Sequence, residues 1–303
     1  MLFDILMPFY GRVDQFKLAV ESVLAQTDSN WRLTVVDDQY PDGSAAEWLL
    51  ARKDGRIRYV RNDINLGVSG NFRQCVDLMQ AEYGVIMGCD DVMLPNYVSR
   101  VRTLLDQYPT ASIVQPGVSV IDDSGELVRP LADRVKHLYR PNGLKPALLQ
   151  GQYLAASLSR GNWAYFPSLV WRTETIKKYG FRADLEVALD LALLLEITAG
   201  GGSLVLDDEV VFHYRRHKSS VSAVTAIDGT RFVEEKKVLE SASAVFTSLG
   251  WAHASRVAGF HVSSRLNALS LLPTSLRSRR AGDTRLLISH IFDARRKSPG
   301  DDW

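Results

Sequence analysis

Three sets of acidic residues in the chain have the type and spacing to do chemistry. Asp37-Asp38 follows the apolar pair Val35-Val36, and Asp90-Asp91 follows Met87-Gly88-Cys89. Adjacent carboxylates repel each other unless a cation or a donor-rich ligand satisfies them. The second pair suits a hard divalent ion, because Mg²⁺ or Mn²⁺ takes one or two protein carboxylates and fills its octahedron with water and substrate phosphates. The plainer reading is that either Asp caps a helix or occupies a turn. The third acid, Asp190, interrupts Val187-Ala-Leu-Asp-Leu-Ala-Leu-Leu-Leu195. A lone carboxylate there is costly to bury and must face a polar cleft or find a partner. Desolvation would raise its pKa toward neutrality, as a general base requires. A solvated face of an amphipathic helix is the alternative. Finally, Tyr214-Arg-Arg-His-Lys-Ser-Ser-Val-Ser222 gathers cations, an imidazole and hydroxyls. Such a cluster can hold diphosphate oxygens or a metal, or it is a basic surface loop.

The elements that must position these residues can be read from hydrophobic periodicity. Apolar runs of strand length cover residues 3–7, 31–36, 57–60 and 83–87. Between them, Phe16, Val20, Val23 and Leu24 fall at helical spacing, with Asp14 placed to cap the start, and Phe72, Val76 and Met79 do the same. The alternation predicts an α/β fold, a mostly parallel sheet with helices on both faces. Ligands of such sheets bind outside the carboxyl ends of the strands, where both Asp pairs fall. Met7-Pro-Phe-Tyr-Gly-Arg12 forms a rigid turn at the same edge. Beyond Pro95 the spacing predicts a hairpin-like excursion around Asp122-Asp-Ser-Gly125, a strand over 166–172, a helix over 185–199 and a strand over 204–214. From Thr225 the chain is helical and increasingly basic, with interruptions at Pro273 and Gly282. A boundary near 222 would separate the α/β body (residues 1–222, with halves meeting near 95) from a helical extension over 223–303.

Composition narrows the function classes. The 303 residues are 46% hydrophobic and 23% charged, with 36 Lys and Arg against 35 Asp and Glu for a net charge of +1. That balance excludes a disordered chain and gives no overall attraction to nucleic acid, so no nucleic-acid partner is expected. Two cysteines form no disulfide framework, and a reducing compartment is the expectation. No apolar stretch reaches the roughly 18–20 residues that span a bilayer. Asp4, without a basic lead, does not read as a secretory signal, so a cytoplasmic protein is expected. The Gly-x-Gly-x-x-Gly and Gly-x-x-x-x-Gly-Lys-Ser/Thr fingerprints are absent, and Gly67-Val-Ser-Gly70 reads as a flexible helix start.

Taken together, Met7-Pro-Phe-Tyr-Gly-Arg12, Ser22-Val-Leu-Ala-Gln26, Val35-Val-Asp-Asp38, Asn65-Leu-Gly67, Gly84-Val-Ile-Met-Gly-Cys-Asp-Asp91 with Pro95, Gly180-Phe181, Asp190 and Tyr214-Arg-x-His217 resemble family 2 glycosyltransferases over about residues 3–222. The resemblance implies a Rossmann-like domain of the glycosyltransferase A type that binds a nucleotide sugar and inverts the anomeric carbon. It places Pro8, Phe9 and Tyr10 in the turn lining the base, and Asp38 against the base, at the N3–H of a pyrimidine. Asp90 falls to the ribose, Asp91 to a Mn²⁺ or Mg²⁺ ion, Asp190 to the catalytic base, and Arg215 with His217 to the diphosphate and metal end. The chain departs from the family's pattern at Gly88, Leu189 and Gly11.

The resulting expectation is an inverting transfer from a UDP- or dTDP-linked sugar to a hydroxyl of a glycan or lipid-linked saccharide, in cell-surface polysaccharide synthesis. The rivals are a silent nucleotide-sugar-binding or scaffold protein and a nucleotidyltransferase. Trp163 and Tyr165 are candidates to stack on a sugar ring or to pack in the core. From Arg256 to Lys297, nine basic residues face two acidic ones, interleaved with Leu266, Leu269, Leu272, Leu286, Leu287 and Ile291. That extension is read either as a peripheral contact with the inner membrane face or as helices packed on the body or on a second subunit.

Overall fold

The computed structural model describes residues 1–216, 230–278 and 281–292. The first seven elements are β1 (Phe3–Phe9), α1 (Val13–Leu24), β2 (Trp31–Asp37), α2 (Ser44–Leu50), β3 (Ile57–Arg61), α3 (Gly67–Leu78) and β4 (Tyr83–Ile86). Their strands lie in the order β3-β2-β1-β4, all parallel. β1, β2 and β4 are largely buried because helices cover both faces, whereas the edge strand β3 is only part-buried, and the core forms a cluster on each side of the sheet. Strand order reverses at β1, and such a switch point opens a crevice at the carboxyl ends of the strands. Pairing between β1 and β4 stops at Leu6 and Ile86, so the chain after Met87 turns away and presents Asp90-Asp91 there. Pro8 sits in β1 beyond that last pair, on a side where no β4 partner needs its missing N–H. Helix α1 starts after Arg12, which makes no side-chain cap. The expected cap, Asp14, lies inside the first turn and binds the Arg12 guanidinium instead.

The second half adds β5 (Val92–Met93), α4 (Tyr97–Gln107), β6 (Ile113–Ile121), β7 (Leu127–Val128), α5 (Leu131–Tyr139), β8 (Ala147–Gln150), α6 (Gly151–Arg160), β9 (Val170–Arg172), α7 (Thr173–Tyr179), α8 (Leu189–Ala199) and β10 (Ser203–Arg215). The sheet continues β4-β9-β6-β10-β5, with β7 on β6 and β8 on β10. Only β6 and β10 pair in parallel here, so the mainly parallel character belongs to the first half. The predicted hairpin turn at 122–125 joins β6 to β7. The strand expected over 166–172 is halved, since Phe166–Ser168 winds into a 3-10 turn after Tyr165. Helix α8 begins four residues later than its apolar run and is buried nearly all round.

After the segment outside the described residues, where the expected boundary near 222 falls, come α9 (Thr230–Ser248), α10 (Ala252–Phe260), α11 (Val262–Ser278) and α12 (Ala281–Phe292). Pro273 lies inside α11 and does not interrupt it as expected; Gly282 is the second residue of α12, next to the break at 279–280 that lies outside the described residues. Among the described residues, breaks fall at 249–251 and at His261, which adopts a left-handed backbone. Val238, Leu239, Phe246, Ala254 and Ala258 share one apolar cluster with Leu191, Leu194 and Leu195 of α8. Phe232, Ala268 and Leu287 form a small cluster of their own, with Leu272 and Ile291 against it. Among the described residues no helix is long and apolar enough to cross a membrane.

Candidate active site

The Asp pairs stand at the crevice as expected, but their chemistry differs. Asp37 accepts hydrogen bonds from the Tyr40 N–H (2.7 Å) and the Tyr59 hydroxyl, and Arg61 lies 3.6 Å away. The Asp38 Oδ1 accepts from Asn62 Nδ2 and the Leu66 N–H, both at 2.8 Å, while its carbonyl accepts from Asn65 Nδ2. Asp38 therefore holds the turn into α3. The Asn65 side chain also accepts the N–H of Gly67, whose positive φ (71°) a glycine adopts without strain. Around the expected base-lining turn, Phe9 is buried against Phe16 and Tyr40, and Tyr10 is exposed with its ring edge on Tyr40.

Asp91 is almost wholly buried, yet only one oxygen is satisfied. Oδ1 accepts the Arg215 N–H at 2.8 Å, and Oδ2 has no hydrogen-bond partner. Burial, then the neighbouring Asp90 carboxylate, pushes its pKa well above the usual carboxylate range. A Cβ at position 88 would stand 2.5 Å from Asp91 Oδ2 and 2.9 Å from Asp90 Oδ1, so Gly88 leaves the space over which the two carboxylates fold. An orphaned buried carboxylate oxygen beside a second carboxylate, over a cradle that a side chain would fill, fits a divalent cation. Among the described residues no cluster of three or more His, Cys, Asp or Glu forms, and His217 lies outside them.

Arg215, expected at the diphosphate end, is tied into the chain itself. It is 3% exposed; its Nε donates to the Asp90 carbonyl (2.7 Å), and its Nη1 to the carbonyls of Asp122 (2.8 Å) and Asp123 (3.3 Å). The guanidinium ties the Asp90-Asp91 loop to the β6–β7 turn. A planar fork with several donors suits that task.

Asp190 sits in the first turn of α8, where backbone N–H groups and the helix dipole favour an anion. Its Oδ1 accepts the Leu191 N–H (2.7 Å) and its Oδ2 the Asn162 amide (2.9 Å). Burial raises its pKa, opposed chiefly by the nearby Lys136 ammonium. Lys136 is pulled down to about 8 by its own burial, donates to the Ala164 carbonyl (2.8 Å) and stands 4.3 Å from the Tyr165 ring centre. Tyr165 and Trp163 are core residues: the Tyr165 hydroxyl donates to Asp133 (3.0 Å) and the Trp163 indole to Ser157 (2.9 Å). Asp133 also holds Arg216 (2.8 Å), and its Oδ2 has no partner.

These groups form one electrostatic cluster. Tyr214, pushed up to about 12 by burial, feels Asp91, Asp90 and Asp133, while Arg231 feels both Asp190 and Tyr214. Asp133, Lys136, Asn162, Arg231 and Glu234 were not singled out from the sequence. Glu234 on α9 has the clearest role: its carboxylate accepts the N–H groups of Glu186 (3.0 and 3.1 Å), Val187 (2.8 Å) and Ala188 (3.0 Å). It thereby clamps the turn that delivers Asp190. An i, i+4 pattern on a mixed helix carries no signal for such a clamp.

A family model described as Glycosyl transferase family 2 matches residues 4–172. WcaA of Escherichia coli K12, named for colanic acid biosynthesis, is 36% identical over 99 residues, 32% of this chain and 36% of that one. A glycosyltransferase of Methanocaldococcus jannaschii, MJ1057, is 21% identical over 218 residues, 71% of this chain and 70% of that one. Thus the chain spans only about a third of the first relative's length. Among solved structures, Staphylococcus aureus TarS 1–349 in complex with UDP-GlcNAc superposes with a TM-score of 0.69 at 13% identity, over 97% of this chain and 80% of that one.

Proposed function

The chain belongs to glycosyl transferase family 2, and on that premise we propose that it moves a sugar from a UDP- or dTDP-linked donor to a hydroxyl of a glycan or lipid-linked saccharide, with inversion, in polysaccharide synthesis. TarS in complex with UDP-GlcNAc shares the fold, WcaA carries a colanic acid name, and an Escherichia coli relative named as a UDP-Glc β-1,3-glucosyltransferase, WfgD, is 28% identical over 95 residues. The observation that carries the mechanism is Asp190, a carboxylate on the first turn of α8 with a raised pKa, in electrostatic contact with the cluster that contains Asp91.

In this reading Asp190 removes the proton from the acceptor hydroxyl as its oxygen attacks the anomeric carbon from the face opposite the diphosphate. Asn162 and the Leu191 N–H orient the carboxylate, and Glu234 fixes the turn before it. Asp38 and the Phe9–Tyr10 segment form the floor for the base, and Asp90 faces the ribose. Asp91, beside Asp90, would hold Mn²⁺ or Mg²⁺, whose charge, when bound, offsets the negative charge growing on the leaving diphosphate. Arg215 keeps the Asp90-Asp91 loop in place. The reading also keeps the enzyme at the inner face of the cytoplasmic membrane when its acceptor is lipid-linked.

A panel of UDP- and dTDP-sugars, screened with Mn²⁺ by thermal shift, identifies the donor through its stabilisation of the folded chain. With that donor, Asp190→Asn is expected to bind as wild type does and to transfer at least about 100-fold more slowly. Equal turnover would remove Asp190 from the mechanism, and absent sugar release by wild type would favour a silent binding protein.

A further inference from the structure

On α5 polarity and burial are inverted. Asp133 is 3% exposed, and Lys136, on the same face, reaches inward to the Ala164 carbonyl. The opposite face carries Leu131, Val135 and Leu138 at i, i+4 and i+7, with Leu131 73% and Leu138 79% exposed. Leu127, just before the helix, is 68% exposed and Leu144, just after it, 96%. No leucine elsewhere among the described residues exceeds 61%. A protein surface rarely leaves an apolar helix face this exposed, with two more exposed leucines at its flanks, without a partner.

Charge selects the partner. Residues 127–145 hold five cations and one acid, the inward Asp133. Of the cations, Lys136 points inward, Arg140 pairs with Asp208 and Lys145 donates to the Pro141 carbonyl, which leaves Arg129 and Arg134 facing outward beside the leucines. Arg129 and Arg134 are exposed and have no ion-pair partner among the described residues. A symmetric contact between two copies would gather both pairs of these cations into one interface with no acid beside them. Against an anionic bilayer, leucines enter the boundary between headgroups and acyl chains while guanidinium groups meet lipid phosphates. We propose that α5, with its flanks at Leu127 and Leu144, docks the protein on an anionic membrane surface. Its inner face, through Lys136 beside Asp190 and through Asp133, joins that surface to the wall of the cleft. This site differs from the basic extension after Arg256. Membrane docking is independent of the transferase reading; only its use for a lipid-linked acceptor rests on it.

The full chain is sedimented with phosphatidylcholine vesicles with and without phosphatidylglycerol, in the absence of any sugar donor. Wild type is expected to sediment with the anionic vesicles. Leu131→Ser/Leu138→Ser should lower that partitioning at least about tenfold, and Arg134→Ser should lower it more at low salt than at high salt. Leu266→Ser/Leu269→Ser in α11 should behave as wild type, with circular dichroism and melting temperature confirming that each variant is folded. Wild type left in the supernatant, or the α5 pair sedimenting like wild type, would overturn the proposal. So would a loss confined to the α11 pair. A wild-type dimer that the α5 pair dissociates would assign the face to a second copy instead.

Discussion

Asp4 and Asp91 are equally buried, at 2% and 1%, at opposite ends of neighbouring strands, and they are held in opposite ways. Asp4, at the amino end of β1, has both oxygens filled: Oδ1 by the Arg32 guanidinium (2.7 and 3.0 Å) and Oδ2 by the N–H groups of Gln80 (2.6 Å) and Ala81 (2.7 Å). Asp91, past the carboxyl end of β4, has an orphaned oxygen and a second carboxylate beside it. Burial alone therefore separates nothing; satisfaction does. Asp4, satisfied, is scaffold, whereas Asp91 is retained at a cost to the fold and, beside a second carboxylate, sits where a cation would complete it; Asp133 also keeps an unpartnered oxygen, but it is ion-paired to Arg216. Asp38 falls on the scaffold side through Oδ1, and Asp190 lies between the two, partnered yet with a raised pKa.

The contrast breaks most sharply if Asp4 proves dispensable. Asp4→Ala should cost about 3 kcal/mol of stability in urea unfolding, because it strands an arginine and two backbone donors. Activity per folded molecule should be unchanged. A smaller expected effect sharpens the positioning of the cleft: Glu234→Ala should lower kcat about tenfold, or ~1.4 kcal/mol, with donor KM nearly unchanged. Glu234→Gln should recover part of the loss, since its amide oxygen still accepts, whereas a merely structural Glu234 would show lost stability and an unaltered kcat. The smallest effect concerns Asp91 in chelator. Its folded pKa lies above its unfolded value, so its burden on the fold is absent below the unfolded pKa and grows as pH rises through the folded one. Asp91→Asn should therefore melt at or above the wild-type temperature at neutral pH, with the gap closing near pH 4. A variant that melts lower at neutral pH would place Asp91 with Asp4 among the scaffold acids.

Much of this was legible in the residues. The first sheet half follows from apolar runs and helical spacing, because local patterning there coincides with burial on both faces. The positions of Asp38, Asp90-Asp91 and Asp190 followed from their places after strands or inside an apolar run. What was not legible depends on contacts between distant segments. Arg215 turns inward to carbonyls more than 90 residues away, and Glu234 reaches back 46–48 residues to the turn before α8. Pro273 sits within a helix because packing around Phe232, Ala268 and Leu287 outweighs its local preference. In α5 the pattern is inverted, so periodicity alone would bury the wrong face.

The most direct test of Asp190 as the base is the pH dependence of kcat/KM with the donor that the thermal-shift panel identifies. Wild type should show an acidic limb above the ordinary carboxylate range of about pH 4, because burial outweighs Lys136 in setting the Asp190 pKa. In Asp190→Asn that limb should vanish while any alkaline limb remains. An acidic limb that persists unchanged in Asp190→Asn would contradict the account.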